Sequence, residues 1–210
     1  MFNHPGRALC VLFSLAAGTL PVSAQEGDAR AQLEVLLTVA PTLPKAARAS
    51  MMEETAAIWR NHGVTINWLA ATSLRSVPHR LRVLVVERRH SPATARDAFT
   101  VGELIRPANG RPIAMMSIES AQRLVASVRG RAGYELIAVD PRRLGILLGR
   151  ALAHEIGHYL LDTQTHARDG LMRPQFNALE FTDLRDEAFA LDDPASEWLK
   201  SRPGPFAYVR

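Results

Sequence analysis

The sequence predicts a single α+β domain in which a mixed, twisted sheet packs on one buried helix and a small helical part follows at the C-terminal end. Three observations predict it. Helix-forming and β-branched segments alternate between residues 31 and 139; residues 144 to 161 are apolar on nearly every side, as a core helix must be; and residues after 180 return to an amphipathic helical pattern. No internal repeat, low-complexity tract or linker divides the chain.

The elements follow in order. Arg7 is the only charge before Glu26, the run from Ala8 to Leu20 is almost wholly apolar, and Val22-Ser23-Ala24 supplies small residues for cleavage. That is the pattern of a secretory signal peptide over residues 1–24, and the run is too short for an ordinary membrane span. Cleavage after Ala24 leaves a single domain of residues 25–210, beginning at Gln25 and large enough for a real core. Cys10, the only cysteine, lies inside the apolar run and leaves with it, so stability is expected from burial without disulfides, helped by a metal.

Leu33 to Val39 reads as a first strand or a short pro-segment. Lys45 to Asn61 is rich in Ala, Met, Glu and Arg without Pro or Gly, which favours helix, and His62-Gly63 ends it. Val64 to Leu69 and Leu81 to Glu87 read as strands, the second apolar enough to be central. Pro92 to Ala98 is loop-like. Phe99 to Ile105 and Arg111 to Ser117 flank the turn-rich Arg106 to Gly110 and suit an antiparallel pair. Ser117 can cap a helix from Ile118 to Val128, whose Ile118, Ala121, Leu124, Val125 and Val128 share a face. Tyr134 to Val139 suggests another strand, ended by Asp140-Pro141. Glu180 to Leu191 suggests a helix with Phe181, Leu184, Ala188 and Leu191 inward.

The chain is basic, with 25 Lys+Arg against 21 Asp+Glu, and 23 of those cations are Arg. Arg7 apart, the arginines are spread from Arg30 to Arg210 and mixed with acids, with no aromatic-interleaved basic stripe, which argues against nucleic acid as a partner. No stretch after the signal is apolar enough to span a membrane.

The chemistry is concentrated in residues 144 to 161, LGILLGRALAHEIGHYLL. Ionisable groups within such a helix are costly to bury unless they do something. His154 and His158 stand four apart and share a helix face, so both imidazoles can meet one metal ion. Glu155, beside the first, can reach a water on that ion without being a ligand. This is the His-Glu-x-x-His arrangement of zinc hydrolases. Neutral imidazoles leave the charge on Zn2+ undiminished, which acidifies a bound water toward a pKa of about 7. A carboxylate in reach then serves as general base. The bland alternative is a pair of hydrogen-bonded core histidines, which leaves the buried carboxylate between them without a purpose.

The stretch HEIGHYLLDTQTHARDGLM resembles the metzincin group of zincin metallopeptidases, with two helix histidines, a turn, a third histidine and a Met beneath the metal. The resemblance implies a zincin-like fold, His154, His158 and His166 as zinc ligands, Glu155 as the base, and Met172 of Gly170-Leu171-Met172 in the methionine turn. Two departures stand out. The glycine and third histidine expected three and six residues after the second histidine are Leu161 and Gln164, so His166 implies a turn longer by two residues. Arg173-Pro174 also stands where a Tyr often follows the Met. Asp162, Glu180 and Glu187 are rival third ligands, because other zincins take a carboxylate from a later helix. His62, His79 and His90 have no ligand spacing and read as surface residues. Arg111 to Ser117 reads either as the strand bordering the cleft or as an internal one.

The expected function is therefore an exported zinc-dependent metallopeptidase, periplasmic or secreted, acting on a peptide or protein. A zinc hydrolase of non-peptide substrates and a non-catalytic metal-binding protein are the alternatives. An open coordination position with a base beside it argues against the last.

Overall fold

The computed structural model describes residues 31–70, 80–88, 100–131, 140–176, 178–182 and 187–201. The signal segment, Tyr134 to Val139, Pro92 to Ala98, His79 and His90 lie outside them. Alternating apolar residues make Ala31–Val39 a strand, β1, with Leu33, Val35 and Leu37 buried, which decides between strand and pro-segment. Helix α1 (Lys45–Arg60) follows, and Gly63, with φ +74°, turns the chain into β2 (Val64–Ala70). Strands β3 (Arg80–Val86), β4 (Gly102–Ile105) and β5 (Ile113–Ser117) complete a five-stranded sheet of order β2-β1-β3-β5-β4. Only the β4–β5 pair is antiparallel. The apolar run of β3 is thus the central strand expected of it. Among the described strands β5 is internal, and β2 and β4 stand at the two edges.

Burial along the strands alternates, and Leu33, Val35, Val83, Val85, Ala114 and Met116 join the helices in one core cluster. On the opposite face, Glu34 of β1 pairs with its register partner Arg80 of β3 at 3.1 Å. Helix α2 (Ile118–Arg131) starts where Ser117 Oγ accepts from Ser120 N, 3.2 Å away. Helix α3 (Pro141–Leu160) starts earlier than the apolar pattern suggested. Asp140-Pro141, read as a strand end, is its N-terminal signal: Asp140 accepts from Arg142 N at 3.0 Å and Pro141 opens the first turn.

Helices α1 and α3 run side by side in the same direction. Trp59 Nε1 donates to Ala153 O (3.2 Å) and Thr55 Oγ1 to Gly149 O (3.0 Å). The close approach depends on Gly145 and Gly149. A Cβ on Gly145 would collide with Ala47 O and Ser50 Cβ, and one on Gly149 with Met51 O and Glu54 Cβ. Gly145→Ala must push the helices apart, because backbone does not yield as a flexible side-chain end does. A loss of about 1–3 kcal/mol is expected, read as a lower urea midpoint with unchanged slope.

The C-terminal part departs from the expected helix over Glu180 to Leu191. The described residues form a short helix α4 (Ala178–Thr182) and a 3-10 turn at Glu187–Phe189, then α5 (Asp193–Ser201), with Leu184 outside the described residues. The reason lies in tertiary partners. Ala190 O accepts from Leu171 N (2.6 Å), and Leu191 N donates to His62 Nε2 (3.1 Å), so this backbone is committed elsewhere. His62 is accordingly half-buried and structural, not the surface residue its spacing suggested. Arg150, buried in α3, fastens the segment further. It pairs with Glu54 at 2.6 Å, donates to the carbonyls of Glu180 and Phe181, and lies over the Phe189 ring.

Candidate metal centre

From Leu144 to Leu160 every residue of α3 is buried except His154, which is half-buried at the cavity wall. The four-residue spacing puts His154 and His158 on one helix face, their Nε2 atoms 3.1 Å apart. His166 comes back over them from the turn after α3. Its ring stacks on His154 (centroids 5.4 Å apart, planes at 17°) and stands edge-on to His158 at 4.9 Å. One nitrogen of each imidazole lies within 4.8 Å of the others, so the three histidines can hold a metal ion.

The second nitrogen of each helix histidine is fixed by backbone. His154 Nδ1 lies 2.7 Å from Leu171 O and His158 Nδ1 lies 2.9 Å from Thr163 O. A carbonyl can only accept, so each Nδ1 carries the proton and each Nε2 presents a lone pair. Two lone pairs facing at 3.1 Å repel one another unless a cation stands between them. This donor set fits a metal.

The electrostatics agree. Burial pushes the His154 imidazole down to about 4; the Leu171 carbonyl opposes this, and His158 and His166 lower it further. His158 is also lowered, chiefly by burial, with Thr163 opposing and His166 and Arg106 reinforcing. Both shifts favour the neutral imidazole, the form in which a histidine binds a metal. His154 binds a proton near 6.5 when unfolded but only near 4 when folded, so between these values the unfolded chain carries more protons. The metal-free protein should lose stability as pH falls from 6.5 through about 4. Melting temperatures of chelator-treated protein across that window test it, with His154→Gln expected to flatten the slope.

No protein-family model and no curated protein matches this chain. The chemistry of the site rests on its own residues.

Those residues face a cavity of about 600 Å³, whose wall includes Gly102, Arg106, Glu155, the three histidines and Phe176. Glu155 is buried, and its carboxylate lies against β4. A Cβ on Gly102 would stand 3.0 Å from its Cγ and Oε1. Met172 is buried under the helix, so close to Gly157 that any side chain there would overlap its sulfur.

Two of the three rival ligands are engaged elsewhere. Glu180 pairs with Arg173 at 3.0 Å and Asp162 with Arg106 at 2.9 Å, while the side chain of Glu187 lies outside the described residues. Sequence reasoning missed the Leu171 and Thr163 carbonyls, because no side-chain pattern marks a backbone acceptor. It also missed Arg106, which donates to His158 O at 2.7 Å from a segment read only as a turn.

Proposed function

We propose that this chain is an exported zinc-dependent metallopeptidase of the metzincin-like zincin type. The observation that carries the proposal is the return of His166 to the His154–His158 pair, with the Glu155 carboxylate in the wall of the same cavity. Three imidazole ligands suit zinc and leave a coordination position open. Zinc bound there would acidify a water and polarise the carbonyl to be cleaved.

The protein's own groups do the rest. The Glu155 carboxylate takes the proton of the attacking water and delivers it to the leaving nitrogen. Leu171 and Thr163 hold the imidazoles in the ligating tautomer. β4 is an edge strand whose residues line the cavity beside Glu155, so an extended peptide can add to it as a further strand. This supports a peptide over other amides, and replaces the Arg111 to Ser117 strand as the bordering element.

Cleavage of an unstructured protein such as casein is the test. Activity should disappear with a chelator and return with stoichiometric zinc. Cleavage that survives complete metal removal sinks the proposal. Tight zinc binding without cleavage of any peptide leaves the non-catalytic reading in its place.

A further inference from the structure

The chain reversal between the second and third histidines contains a device that the proposed reaction does not use. Helix α3 closes with Leu161 N bonding Gly157 O (2.9 Å) and Thr163 N bonding His158 O (3.3 Å). Between them Asp162 has φ +48°, the only positive φ outside glycine among the described residues. That conformation is common just past a helix end, where glycine is preferred because a Cβ crowds the carbonyl. An aspartate there needs a reason.

Arg106 supplies it. Immediately after the edge strand β4, this residue donates from Nη1 to Asp162 Oδ1 (2.9 Å) and from Nη2 to His158 O (2.7 Å). One rigid, planar fork therefore grips both the left-handed residue and the last-turn carbonyl of a ligand-bearing residue. Beyond it, Thr163 Oγ1 accepts from Thr165 N (3.0 Å) and Thr163 O receives His158 Nδ1–H, so the turn is pinned up to the residue before His166.

We propose that Arg106 and Asp162 form a clamp that holds the turn from His158 to His166 in its ligand-presenting shape. Asp162 achieves through its side chain what a glycine achieves by lacking one. Arg106 is thus a positioning residue, tying the edge of the cleft to the metal centre. The inference rests on the histidine triad being a metal site.

Competitive zinc titration of the full mature chain tests it, with cobalt(II) absorption reporting ligand geometry and melting of the metal-free protein reporting the fold. Arg106→Gln and Asp162→Asn should each weaken zinc about tenfold, as loss of an outer support does, and alter the cobalt spectrum. The double variant should be no weaker than either single one. Asp162→Gly should bind like wild type and should restore zinc to the Arg106→Gln background, because glycine takes the left-handed conformation unaided. That rescue is not expected of a contact that merely adds stability. Should Arg106→Gln fail to fold, Asp162→Asn and Asp162→Gly decide: the first must lose affinity and the second keep it. Unchanged zinc affinity and cobalt spectrum in Arg106→Gln, or penalties that add in full, overturn the clamp and leave the metal centre standing. A wild-type chain that binds neither metal overturns both.

Discussion

Glu155→Gln is expected to keep its metal and lose nearly all turnover, a fall in kcat of about 10²–10⁴-fold. Glutamine matches glutamate in shape, so the buried position beside Gly102 stays filled and no cavity opens. It cannot accept a proton from water at neutral pH. The Glu155 carboxylate is outside the cluster of imidazole nitrogens, so metal content by elemental analysis should stay at one per chain. KM should change little, because a general base acts in the transition state and not in binding. A variant that loses its metal together with its activity makes Glu155 a ligand or a structural support, and the general-base role is then wrong.

The second large effect falls on His166, the proposed third ligand. His166→Ala leaves two imidazoles, which hold an ion poorly, and zinc affinity should drop by more than about 100-fold, beyond the loss usual for an outer support. Glu180→Gln should leave affinity nearly unchanged, since its carboxylate is spent on Arg173. The exposed position of His166 makes alanine there mild for folding, so metal-free melting should barely move. Competition of both variants against a chromophoric chelator reads the difference. Loss of zinc in Glu180→Gln with retention in His166→Ala shifts the site to a carboxylate ligand from the later helix, and the metzincin-like reading falls.

Much of this molecule is determined by short-range pattern. The spacing of His154 and His158 puts them on one helix face in any context, and the apolar surroundings of residues 144 to 161 bury that helix wherever it packs. The α1 and α2 segments, and the strands at Val64 and Leu81, follow from composition, alternation and the turn at Gly63. These are local properties, and local physics suffices for them.

The remainder depends on partners far apart in sequence. The sequence leaves four candidates for the third ligand; the fold brings His166 back over the pair and engages Asp162 and Glu180 with arginines, while the side chain of Glu187 lies outside the described residues. The Glu180 to Leu191 pattern is helical by periodicity. Yet Ala190 O and Leu191 N bond Leu171 and His62, contacts that reward a bend more than one further helical turn. His62 has no motif around it, and its role exists only because residues 191 and 196 fold against it. Likewise, no spacing rule links Arg106 to Asp162, which lie on different elements. Helix faces are set by residues three and four apart and are legible in one dimension, whereas closure of a site between elements is decided only where tertiary packing chooses which polar groups meet.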